Sequence, residues 1–173
     1  MITYREATSA DAESIAQLHS LSWQQNYRGI WSDGFLDNYV VENRRTVWQE
    51  RLIQPGENQY VIVALSGETI CGFACAYSHD DAIGGTLLDN LHVHKQHKGQ
   101  GIGTELIRQT ATWAYREQAE SSFYLWVLVK NISARTFYEG LGAINQEEVS
   151  VENPDGSFSD CCRYVWPDIT TLL

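Results

Sequence analysis

The chain has 173 residues, enough for one domain spanning 1–173 with a full hydrophobic core. Hydrophobic residues make up 43% of it and charged residues 20%, and 12 Lys+Arg against 22 Asp+Glu leave a net charge of −10. That balance argues against nucleic acid phosphates as a partner, and no apolar run approaches the roughly 18 residues of a membrane helix.

The first residues, Met1-Ile2-Thr3-Tyr4-Arg5-Glu6, carry no apolar leader, so a cytoplasmic location is the expectation. The acidity suits a cationic small molecule or serves solubility alone. Residues 3–6 read as a first strand. Ser9 or Asp11 can cap a helix whose apolar side is Ile15, Leu18, Leu21 and Trp23, fading at Tyr27-Arg28-Gly29. A second helical region spans 33–53, with Phe35, Leu36, Tyr39, Val40, Val47, Trp48 and Leu52 available for its buried side.

Pro55-Gly56 stops the helices. Residues 60–65 and 70–77 read as a strand pair around the turn Ser66-Gly67-Glu68. A loop holding His79, Asp80, Asp81, Gly84 and Gly85 leads to a strand over 87–93. A glycine-rich turn then opens a helix over 104–119. A strand at 123–129, a short helix at 132–139 ended by Gly142, and strands at 147–151 and 161–166 about the turn Asn153-Pro154-Asp155-Gly156 complete the chain. Hairpins combined with one strand–helix–strand crossover give a mixed sheet of the α+β class.

Cys71 and Cys75, spaced C-x3-C in an apolar run, and the adjacent Cys161 and Cys162 match neither a zinc site nor a disulfide framework, so packed thiols are expected. His92-x-His94-x-x-His97 lacks the cysteine or carboxylate that would complete a metal site, and no metal is expected.

Lys98-Gly99-Gln100-Gly101-Ile102-Gly103-Thr104 joins a strand to a helix. Glycines let the backbone take positive φ and approach a ligand, and the free N–H groups of a helix start favour an anion. The turn is neither a dinucleotide fingerprint, which would need glycine at Thr104, nor a P-loop, which would need Gly-Lys-Ser/Thr at its end. A phosphate cradle and a merely tight connection are both compatible with the turn alone.

Its surroundings are more specific. Lys98-x-x-Gly101-x-Gly103 resembles the Gln/Arg-x-x-Gly-x-Gly/Ala loop of the GNAT superfamily of acyl-CoA-dependent N-acyltransferases, with a lysine in the leading position. The strand Leu87-Leu88-Asp89-Asn90-Leu91-His92-Val93 before it, and Leu125-Trp126-Val127-Leu128 with Asn131-x-x-Ala134-Arg135-x-Phe137-Tyr138-x-x-x-Gly142 after it, resemble the family's flanking segments in the same order. Trp23, Tyr27 and Gly29 resemble the amino-terminal helices of members that act on small molecules.

The resemblance implies a mixed central sheet with splayed parallel strands flanked by helices, and acetyl-CoA as co-substrate. It implies that Leu91 and Val93 present backbone groups to the pantetheine arm, with His92 between them. The amides of Gly99, Gln100, Gly101, Ile102, Gly103 and Thr104, beside Lys98, would hold the pyrophosphate, and Asn131 would touch the arm. Tyr138 would protonate the leaving thiolate, a packed aromatic being its other reading. An alkyl ammonium has a pKa of about 10.4, so a base or a water chain must first remove a proton. Asp89 is one candidate base, because strand alternation puts it on the face of Leu91; a water relay is the other. Trp23, Tyr27 and Tyr77 are candidates to line the acceptor pocket. The acceptor expected is a small-molecule primary amine, with protein N-acetylation or a silent acyl-CoA sensor as alternatives, and a homodimer is left open.

Overall fold

The computed structural model describes residues 1–81, 85–117 and 122–173. Seven strands form one sheet in the order β1-β2-β3-β4-β5-β7-β6. They are β1 (Ile2–Glu6), β2 (Gln59–Ser66), β3 (Thr69–Asp81), β4 (Gly85–Val93), β5 (Phe123–Leu128), β6 (Ile144–Glu152) and β7 (Phe158–Trp166). All neighbours are antiparallel except β4 and β5, which are parallel and are joined by a crossover through α4.

The helices are α1 (Ala12–Asn26), α2 (Asp33–Asn38), α3 (Val40–Ile53), α4 (Ile102–Glu117) and α5 (Ile132–Gly140). On one face, Ile102, Leu106, Ile107, Ala111 and Ala114 of α4 pack with Ala74, Leu88, Phe123 and Leu125 of the sheet. On the other, Ile15 and Leu18 of α1 and Trp48 and Leu52 of α3 cover Val61, Val63, Phe73 and Cys75. Among the described residues, no helix is long and apolar enough to cross a membrane.

Three local readings change. The segment at 33–53 is two helices, and Tyr39, which stands at their junction, turns outward and is 66% exposed. The first helix is entered through a 3-10 turn, Ser9–Asp11, capped by Thr8, whose N–H donates to the Asp11 carboxylate at 2.8 Å. Strand β3 runs on through His79 and Asp80 to Asp81, where a loop was expected, with His79 at a φ of 53°. Gly84 of the expected loop and Ala119, the end of the expected helix, lie outside the described residues. The four cysteines are buried free thiols, and burial pushes Cys75 up to about 12.

Candidate active site

Strands β4 and β5 are laddered only at Thr86↔Phe123 and Leu87↔Tyr124. Beyond that point β5 continues with β7 and β4 continues with β3, so the facing backbone edges separate. The departure coincides with a bulge: Ala76 pairs Leu88 and Cys75 pairs Asn90, which leaves Asp89 as an extra residue on β4. A bulge bends its strand and re-aims the side chains that follow.

This corrects the expectation that Asp89 and Leu91 share a face. Leu88 and Leu91, three residues apart, both join the core under α4. Asp89 and Asn90 both meet Arg51 of α3 on the opposite side, at 2.7 and 2.9 Å. The inserted residue resets the alternation that the sequence pattern assumed.

A cavity of about 800 Å³ fills the gap, within the usual size of a ligand pocket. At one end lies the glycine turn. Gly99 and Gly101 hold φ of 76° and 77°, and a Cβ on Gly101 would stand in open space. A Cβ on Gly103 would approach Cζ of Phe137 to 3.3 Å, so the bare Gly103 lets α5 pack against the start of α4. Among the described residues, the N–H groups of 99–104 meet no backbone acceptor, and α4 closes its first turn only at Glu105, which donates to the Gly101 carbonyl. Lys98 lines this end, whereas the Gln100 side chain turns back to the Gln96 carbonyl. Unpaired amides, open glycines and a lysine fit a pyrophosphate.

Helix α5 forms the next wall. Asn131 caps it by accepting the Ala134 N–H at 3.2 Å, and it also lines the cavity. Tyr138 is buried between Phe137 and Trp166 yet reaches the cavity. Burial, with Tyr27 nearby, raises its phenol above the usual range, so it keeps its proton at neutral pH. Cys161 of β7 lines the same stretch, and burial lifts Tyr27 to about 12.

The far end is aromatic. Trp23 meets Trp31 edge-on at 4.4 Å and Tyr27 at 5.8 Å, and all three line the cavity. The His92 ring points toward α1: its Nδ1 pairs with the Ser22 hydroxyl at 2.8 Å, and its centroid lies 4.4 Å from that of His19. Burial, then Lys98 and Arg44, push His92 down to about 3. It therefore stands apart from His94, which caps the turn Lys95–His97, and from His97 on that turn, the rings of these two lying 6.1 Å apart. Among the described residues, no three His, Cys, Asp or Glu side chains gather as metal ligands.

Tyr77 is a second correction. It does not border the cavity; it packs beside Phe73 and Cys75 and donates its hydroxyl to Gln59 Oε1 at 3.2 Å. Its place on β3, one strand removed from the gap, accounts for this.

Arg44, Arg51 and Trp31 border the cavity without having been singled out from the sequence. For Arg44 a signal was present. Val40, Arg44 and Trp48 follow one another at helical spacing, so a cation interrupts the apolar side of α3. Its neighbour Arg45 instead turns outward to Glu13 and Glu42.

A family model described as the acetyltransferase (GNAT) family matches residues 12–143. The thialysine N-epsilon-acetyltransferase of Mus musculus is 30% identical over 150 residues, covering 80% of this chain and 82% of that protein. The uncharacterised N-acetyltransferase YobR of Bacillus subtilis is 28% identical over 69% of this chain, which matches 47% of YobR's length. Among solved structures, the PaiA N-acetyltransferase of Thermoplasma acidophilum in complex with coenzyme A superposes with a TM-score of 0.75 at 16% identity, covering 96% of this chain and 99% of that one. The acetyltransferase YncA of Salmonella typhimurium with its cofactor acetyl-CoA gives 0.68 at 19% identity, over 96% and 93%.

Proposed function

The chain belongs to the acetyltransferase (GNAT) family, and from that membership we propose that it transfers the acetyl group of acetyl-CoA to a primary amine of a small molecule by direct attack in a ternary complex. The observation that carries this reading is the continuity of one cavity. It runs from the glycine turn, through the gap between β4 and β5, to the aromatic end at Trp23 and Tyr27. A donor and an acceptor can thereby meet beside Tyr138.

Acetyl-CoA supplies an activated acetyl thioester. The amides of 99–104, with Lys98, hold its pyrophosphate. The unpaired edge of β4 at Leu91 and Val93 offers backbone groups to the pantetheine arm, and Asn131 borders the same channel. The Tyr138 hydroxyl, kept protonated by burial, delivers its proton to the departing sulfur. Asp89 is engaged by Arg51, so it positions that helix; water takes the proton from the amine and returns one to the Tyr138 phenolate after the thiol forms.

The relative named for thialysine supports an amine acceptor, and the neighbour solved with acetyl-CoA supports the donor. A small acceptor is favoured over a peptide because the tip of the β6–β7 hairpin borders the aromatic end. Pro154 lines it, and Asp155 ties the tip to the Ser32 N–H at 2.6 Å. The test is thiol release from acetyl-CoA against amines, amino acids, polyamines and peptides. Turnover confined to small amines is expected; turnover of peptides alone, or binding of acetyl-CoA without any turnover, would overturn the reading.

A further inference from the structure

Arg44 is a cation set into the cavity wall at its aromatic end. Its guanidinium lies 4.1 Å over the Trp23 ring. Nε and Nη2 both donate to Asn43 Oδ1, at 3.0 and 2.6 Å, which leaves Nη1 without a protein acceptor among the described residues. Among the described residues no carboxylate hydrogen-bonds to it: Asp89, whose charge it feels, is held by Arg51, and Glu152, the other acid bordering the cavity, is exposed on β6. Burial and the nearby Arg51 bring Arg44 down to about 10, with the Asp89 charge opposing them in part, so it remains charged at neutral pH while partly stripped of water.

A half-buried guanidinium is costly to maintain without an anion. Here an aromatic face and a neighbouring amide hold it in a fixed orientation, which is the condition for recognising a planar carboxylate. At the opposite end the orphan amides and Lys98 already account for the pyrophosphate, so the charge at Arg44 is surplus to the donor. A polyamine would instead bring positive charge up to Arg44 and Arg51. The acidity of the whole chain, which suggested a cationic acceptor, is therefore not the sign of charge found in this pocket.

We propose that the acceptor is an amine bearing a carboxylate, of the amino-acid class, and that Arg44 binds that carboxylate. The inference rests on the N-acetyltransferase reading and narrows it. Trp23, Tyr27 and Trp31 then receive the rest of the molecule, and the neutral His92 beside Ser22 stands near the amine without adding a further charge.

The experiment compares matched acceptors in the acetyl-CoA assay. Phenylalanine and leucine are set against phenylalaninamide, leucinamide, phenethylamine and spermidine. Each amino acid should exceed its amide in kcat/KM by about 10- to 100-fold, the range for a hydrogen bond to a charged group. Arg44→Gln should collapse that ratio toward one through KM of the amino acid, and Arg44→Lys, which keeps the charge without the fork, should retain part of it. Amides or spermidine equal to or better than the amino acids in the wild-type protein would overturn the inference without recourse to a variant. So would an unchanged ratio in a folded Arg44→Gln protein. Absence of turnover with every amine despite acetyl-CoA binding would remove the transferase reading itself, and this inference with it.

Discussion

The guanidinium of Arg51 closes on the carboxylate of Asp89 at 2.7 Å, joining helix α3 to the bulge at which β4 leaves β5. The same nitrogen reaches Asn90 at 2.9 Å, so one side chain holds both residues of the reset register. Both members of the ion pair are less than a third exposed.

Asp89→Asn should therefore act first on stability. It leaves Arg51 without its charge partner, next to Arg44, and should cost about 1–3 kcal/mol in urea unfolding, below the full penalty of a buried unpaired charge. Single-turnover acetyl transfer should fall less than about tenfold. A loss of about 10²–10⁴, the range for a missing general base, would restore Asp89 as the proton acceptor.

Tyr138→Phe removes only the hydroxyl from a ring held by Phe137 and Trp166. Turnover should drop by about 10²–10⁴ while acetyl-CoA affinity changes little. Rapid-quench measurement of the single-turnover rate separates chemistry from product release. A wild-type rate would leave water as the donor to sulfur.

Gly101→Glu should abolish acetyl-CoA binding in a folded protein. Its side chain would enter the open space over the turn and repel the pyrophosphate. Residue 101 has a φ of 77°, so strain of about 1–2 kcal/mol accompanies any side chain there. Gly101→Ala carries the same strain without the charge and should keep measurable affinity. Calorimetry on the two variants checks this, and equal affinity in Gly101→Glu and wild type would exclude the turn as the phosphate site.

Stability should decline as pH falls below about 6.5. Burial drives His19 well below its ordinary value and His92 down to about 3, so both are neutral in the folded state. The unfolded chain protonates them near 6.5 and binds more protons below it, which favours unfolding as pH falls from 6.5 toward 3. Each histidine should contribute up to about 1.4 kcal/mol per pH unit. Urea unfolding at pH 7.5, 6 and 5 measures the slope, and His92→Gln should remove about half of it. A flat profile would mean that the rings are charged or solvated in the folded protein.

Strand and helix order were legible because local patterns report them. Continuous apolar runs about a glycine turn mark β2 and β3, the glycine turn at 99–103 marks the entry to α4, and the spacing from Asn131 to Gly142 marks α5. These patterns arise from backbone geometry and from which side of an element is apolar, both written within a few residues of each other. The glycines of the turn were readable for the same reason: positive φ at Gly99 and Gly101 is a local demand.

Only the tertiary structure decided what the cavity contains. The bulge at Asp89 depends on the register between β3 and β4, and no residue type at that position announces it. It moved Asp89 to the face of Arg51 and separated it from Leu91. Tyr77, an aromatic on the right sheet, fell one strand short of the gap. Arg44 could be read as an interruption of an apolar helix side, but whether an acid elsewhere in the chain meets it depends on which elements pack against α3. Such pairings join residues distant in sequence, Asp89 to Arg51 and His92 to Ser22 among them, and are set by sheet register and helix docking.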